Sequence, residues 1–120
     1  MIPKFRAWDK NTEDMVDVKM IDLEKDGSIG CIVDYNGINL DVSECVLMQS
    51  TGVKDKNGVE IFEGGIGWDD HQEVHGQVIF ENGAFKYEWE NISEDLFEVT
   101  DDIEIVGNIY ENSELLEGTE

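Results

Sequence analysis

The chain has 120 residues, 40% of them hydrophobic, and carries 29 acidic side chains against 8 basic ones, a formal net charge of −21. That length argues for one domain, or two very small lobes, and the apolar fraction is enough for a core without staples. The charge excludes a surface built for direct contact with nucleic acid or an anionic membrane, and no run approaches the ~20 apolar residues of a membrane span.

The charge is uneven. Residues 1–56 hold seven bases and eleven acids, whereas residues 57–120 hold Lys86 alone against eighteen acids. A field of this kind attracts basic proteins in a salt-sensitive way. Its plainer use is solubility.

Taken in order, short apolar runs alternate with turn signals. Lys4–Trp8 alternates polar and apolar residues, with Phe5 and Ala7 on one face. Asp9–Thr12 is a turn, and Val16, Val18 and Met20 recur at the period of a strand pairing back on the first. Asp26-Gly27 and Asn36-Gly37 mark tight hairpins, the second flanked by Ile29–Tyr35 and Ile38–Val42. Ser43–Gln49 reads as a short strand or helical turn, and Ser50–Gly58 as a loop. Val59–Phe62 is a brief apolar run, and Val74–Phe80 is a strand. Asn82-Gly83 turns it into Ala84–Trp89, where Phe85, Tyr87 and Trp89 form one apolar face. Ser93–Phe97 reads as a capped helical turn, Ile103–Tyr110 as the last strand, and the remainder as a frayed acidic tail.

The expected fold is mainly β, a β-rich α+β chain with small helical turns. An N-terminal β-hairpin region covers 1–50, a turn-rich connector 51–58, a small SH3-like barrel 59–111 and an acidic tail 112–120. No internal repeat is legible.

Little of this carries reaction chemistry. Cys31 and Cys45 are neither a C-x-x-C pair nor enough for a zinc site, and read as reduced packing residues on strands. The opening residues lack a long apolar run, so the expectation is the cytoplasm, with Asn91-Ile92-Ser93 a chance sequon. His71 and His75 are four apart but next to glycines and a strand, where that spacing separates them by about 13 Å, so no metal is expected. No serine elbow and no phosphate loop occur. The residues best placed for contact are Trp68, which borders the acidic loop Asp69-Asp70-His71, and Lys54 and Lys56, two of the few bases.

Three ordered blocks add a resemblance. Lys4-Phe5-Arg6-Ala7-Trp8-Asp9, the long stretch Leu47–Gly64, and Glu104-Ile105-Val106-Gly107-Asn108-Ile109-Tyr110-Glu111-Asn112 together resemble the YopX proteins of phages and prophages. The resemblance implies a phage or prophage source and a β-rich fold with an SH3-like part; it implies no reaction. The central block departs from the family's usual Glu-Gly-Asp-Ile-Val, with Gly65 for the acid and Gly67 for the β-branched residue.

The functional expectation is a non-catalytic accessory protein in the host cytoplasm, without cofactor. It would act through protein–protein contacts, with itself as a homo-oligomer or with a basic host protein. The alternative is an acidic decoy that mimics the phosphates of DNA and occupies a host nucleic-acid-binding or defence protein.

Overall fold

The computed structural model describes residues 4–116; residues 1–3 of the opening and 117–120 of the expected tail lie outside them. The chain is mostly β and divides into two units, one ending at Gln49 and the other beginning at Ser50.

The first unit contains β1 (Phe5–Asp9), β2 (Asp14–Leu23), β3 (Ile29–Asp34), β4 (Asn39–Asp41), a 3-10 turn (Val42–Glu44) and the first half of β5 (Cys45–Lys54). Neighbours are antiparallel in the order β4-β3-β2-β1-β5. The second unit contains the rest of β5, then β6 (Glu60–Phe62), β7 (Gly65–Asp69), β8 (Val74–Glu81), β9 (Ala84–Trp89) and β10 (Ile92–Asp95). A 3-10 turn (Leu96–Glu98), β11 (Glu104–Asn108) and a last 3-10 turn (Ser113–Leu116) complete it. Its five-stranded sheet runs β10-β9-β8-β7-β11, again antiparallel. Among the described residues no β10–β11 ladder closes the sheet, and no helix is long and apolar enough to cross a membrane.

The two units repeat one connectivity, although the sequence reads as free of repeats. In each, an aspartate-capped 3-10 turn lies between the strand at one end of the order, β4 or β10, and the strand that pairs beyond the first, β5 or β11; Asp41 accepts the Ser43 amide and Asp95 the Phe97 amide. In each, the first hairpin has the pattern Trp-Asp-x-x-x-Glu: Trp8-Asp9 and Glu13, then Trp68-Asp69 and Glu73. The aspartate carbonyl accepts the glutamate amide in both, at 2.8 and 2.7 Å. Few other residues recur, so the repeat lives in pairing rather than in identity.

Three expectations are corrected. The loop expected over 50–58 is strand as far as Lys54. Its polar residues serve β6: the Thr51 hydroxyl donates to the Ile61 carbonyl at 2.8 Å and Ser50 to the Glu60 carboxylate at 2.6 Å. Gly52, at φ 85°, takes up the ladder irregularity. Residues Ser93–Asp95 are strand, and the turn begins only at Leu96. Met20 does not share the buried face of Val18, because a bulge between Val18 and Met20 shifts the β2–β3 register and turns Ile21 to the core instead.

Each unit has its own core. Ala7, Val18, Ile32, Leu40 and Cys45 fill the first; Ile61, Val78, Tyr87, Trp89, Leu96, Val99 and Ile103 fill the second. The aromatic face of β9 is buried as its alternation requires: Tyr87 and Trp89 lie inside, with Phe85 packed against them.

Tyr87 explains the glycines. Gly67 and Gly76 face each other across β7 and β8, and the Tyr87 ring lies over both. A Cβ on Gly67 would stand 2.9 Å from the Tyr87 hydroxyl, and one on Gly76 2.6 Å from the ring. Gly67 therefore makes room for an aromatic ring. The buried hydroxyl meets no partner at hydrogen-bond geometry. Burial and the Asp69 charge push its pKa well up, and the nearby Gly76 amide offsets this only in part.

Asp55 holds the second unit's last strand. Its Oδ1 accepts the amides of Asn57 (2.8 Å) and Val59 (2.9 Å), closing the Asp-x-Asn-Gly turn in which Gly58 has φ 83°. Its Oδ2 accepts the Ile105 amide at 2.7 Å, fifty residues away. The Lys56 amide donates to the Ile103 carbonyl beside it. Burial pushes the carboxyl's pKa up, but the amides of Ile105, Val59, Asn57 and Gly58 outweigh it and hold the group below its ordinary value.

Asn at position 55 would set an NH₂ against the Ile105 amide, so Asp55→Asn is expected to lose about 2 kcal/mol in urea unfolding. Because the folded pKa is the lower one, Asp55's stabilisation is complete above the unfolded value of about 3.9 and is lost as pH falls through the folded value. The gap between wild type and variant should therefore close below about pH 4; a pH-independent gap would assign the loss to packing.

Tyr87→Phe removes an unsatisfied buried hydroxyl and should raise stability by ~1 kcal/mol, while Gly67→Val should lower it by about 2 kcal/mol. A loss in Tyr87→Phe, read in the same urea titration, would reveal a partner for the hydroxyl.

Candidate functional site

The acidic loop between β7 and β8 is built by Asp69. Its carboxylate is nearly buried, and Oδ1 accepts the amides of His71 (2.9 Å) and Gln72 (3.3 Å). Glu73 closes the loop at φ 56°. The arrangement at Asp9 is the same, with the Asn11 and Thr12 amides. Asp69 therefore acts first as a turn former, satisfying amides that the ladder leaves over.

Asp70 points outward and pairs with Lys56 at 3.4 Å. This ties the Asp55 turn to the acidic loop, but the Asp70 side chain is 55% exposed, so solvent screens the pair. Trp68 is half-buried on β7, and His75 packs on it from β8 with ring centroids 4.7 Å apart. Of the five residues expected at a contact surface, the structure thus gathers Trp68, Asp69, Asp70 and Lys56. Lys54 lies on β5, opposite Glu60 in the β5–β6 ladder.

Sequence reasoning did not reach the concavity beside Trp68. Trp68, Glu73, Val74, His75, Glu90, Leu115 and Leu116 line a hollow of about 530 Å³ within the second unit. Glu90 comes from the β9–β10 turn, and the two leucines from the 3-10 turn at Ser113–Leu116. The signals available were a tryptophan beside a polar loop and a Leu-Leu pair inside an acidic tail; which hairpin they meet is not written in spacing.

Asp69, Asp70 and His71 offer ligand atoms within 4.8 Å of one another. The Asp69 oxygen nearest His71 is already engaged by two amides, and the imidazole is 81% exposed. The thiols are not activated. Burial, with neighbouring carboxylates, pushes the pKa of both Cys31 and Cys45 up, which keeps them protonated.

Fold and site define a small, acidic, antiparallel β protein of two like-connected units, with a tryptophan-bordered loop in the second. The chain belongs to the YopX family: the model of that family, described as YopX protein, matches residues 4–117. It is similar to protein EF1440 from Enterococcus faecalis, 31% identical over 97% of this chain and 99% of that one, with a TM-score of 0.79. Protein yopX from Bacillus subtilis has the same fold, at 21% identity over the whole of both chains and a TM-score of 0.70. Among curated proteins no match reaches significance.

The two kinds of contact in the loop should separate on mutation. Asp69→Ala strands two amides and should lose about 1–2 kcal/mol. Lys56→Ala breaks a screened pair and should change stability by less than ~0.5 kcal/mol. Thermal unfolding at matched salt decides this, and equal losses would mean that the Lys56–Asp70 pair organises the loop.

Proposed function

We propose that the chain is a non-catalytic accessory protein of phage or prophage, working in the host cytoplasm through protein–protein contacts. The observation that carries this reading is the free side of the second unit's sheet. Strand β10 pairs with β9 alone among the described residues, and it and the turn after it present Ile92 (46% exposed) and Phe97 (53% exposed) between Glu94, Asp95 and Glu98. An unpaired strand edge with exposed apolar side chains offers a template for a partner strand. The surrounding carboxylates favour a basic partner, or a second copy that brings a base of its first unit.

The strand order, with a 3-10 turn before the final strand, supports an SH3-like reading of the second unit, and equally of the first. Raised thiol pKa values and an aspartate committed to amides support the absence of catalysis.

The test is a pull-down from host lysate at low and moderate salt, beside sedimentation of the purified chain. A discrete partner or a dimer that persists at both salts and is weakened by Ile92→Glu with Phe97→Glu is the expected result. A monomer that retains only basic proteins lost with salt would overturn it and leave the charge as a solubility trait. One nucleic-acid-binding protein, insensitive to these two substitutions and displaced by duplex DNA, would instead establish the decoy.

A further inference from the structure

The hollow beside Trp68 combines features that a neutral or anionic ligand would not use. Its apolar lining comes from Trp68, Val74, Leu115 and Leu116, and its charges are the carboxylates of Glu73 and Glu90. No lysine or arginine lines it. Neither glutamate side chain has an ion pair or hydrogen bond among the described residues, so both carboxylates remain available. The volume, about 530 Å³, falls within the range of sites that enclose small groups.

An occupant must therefore pair an apolar stem with a positive head. Lysine and arginine side chains have that build: methylenes that bury against apolar surface and a cation that seeks carboxylates or an indole face. A metal ion is a poorer fit, because Glu73, His75 and Glu90 do not converge within ligand distance as Asp69, Asp70 and His71 do. Glu90 lies two residues before β10, the strand on which the protein-contact reading rests.

We infer that this hollow receives a lysine or arginine side chain from a basic segment of a partner protein, with Glu73 and Glu90 binding the cation and Trp68 its stem. This identifies the kind of partner that the proposed function leaves general, and it rests on that reading.

The test is an amide and indole NMR titration of the ¹⁵N-labelled full chain with acetyl-tetralysine-amide at moderate salt. Spermidine serves as a free polyamine, and Trp68→Phe assigns the Trp68 indole signal. Saturable shifts at the Trp68 indole and the amides of Val74, His75 and Glu90 are expected. Glu73→Gln with Glu90→Gln should weaken binding at least fivefold, whereas Asp101→Asn with Asp102→Asn, equal in charge and outside the hollow, should leave it unchanged. Amide spectra of each variant verify its fold. Equal weakening by both pairs, shifts spread over the acidic surface, no saturation, or spermidine binding as tightly as the peptide would each overturn the assignment. None of these would bear on a partner held at β10, which the Ile92 and Phe97 substitutions test separately.

Discussion

The second unit depends on a single carboxylate. Asp55 closes its own turn with one oxygen and holds the Ile105 amide with the other. Strand β11 is an edge strand, paired on one side with β7. The Asp55 oxygen accepts its Ile105 amide, and the Lys56 amide donates to the Ile103 carbonyl just before the strand. The turn thus covers an edge that would otherwise be open to pairing. The same turn chemistry recurs at Asp34, whose Oδ1 accepts the amides of Asn36 and Ile38. There no distant amide is taken among the described residues, and the group remains a local turn. One residue type in one local pattern becomes a long-range tie only where a strand end happens to pass.

Gly67 follows from packing. Gly67 and Gly76 are paired across two strands, and Tyr87 occupies the space that two side chains would fill. The first unit places Ala7 opposite Val16 at the same point of its hairpin, beneath a smaller core that includes Ile32. A small residue at the centre of the first strand is therefore common to both units, and the second takes it to the limit to admit an aromatic. Gly65 is tight but less confined, since a Cβ there would meet the Phe62 carbonyl at 3.2 Å.

Much of this was legible. The Asp-Gly and Asn-Gly pairs marked turns because they need positive φ, and Gly27, Gly37, Gly58 and Gly83 have it. The β9 aromatics announced their burial by alternating with Lys86 and Glu88. What failed depended on partners distant in sequence. The polar residues Ser50 and Thr51 looked like loop because their acceptors sit ten residues later on β6. Met20 looked buried because a bulge, which reverses the facing of the residues just after it, leaves no mark in composition. The repeat was hidden because antiparallel pairing fixes backbone hydrogen bonds and leaves most side chains free to diverge; few residues recur beyond the Trp-Asp-x-x-x-Glu hairpin and the capping aspartates Asp41 and Asp95.

The same division governs function. Asp69 stood out because it is acidic and lies beside a tryptophan, and its Oδ1 serves the loop by accepting the His71 and Gln72 amides. The carboxylates left for a partner are those the fold does not use, and Glu73 and Glu90 gain meaning only from the apolar wall that Leu115 and Leu116 bring to Trp68. Net charge fixes the sign of the partner that such a chain attracts, and it does so from every direction. A concavity with two unspent carboxylates at one place turns that diffuse attraction into a location. On the proposed reading, binding is decided by Glu73 and Glu90, the acids that line the hollow with Trp68, while the others set the rate of encounter.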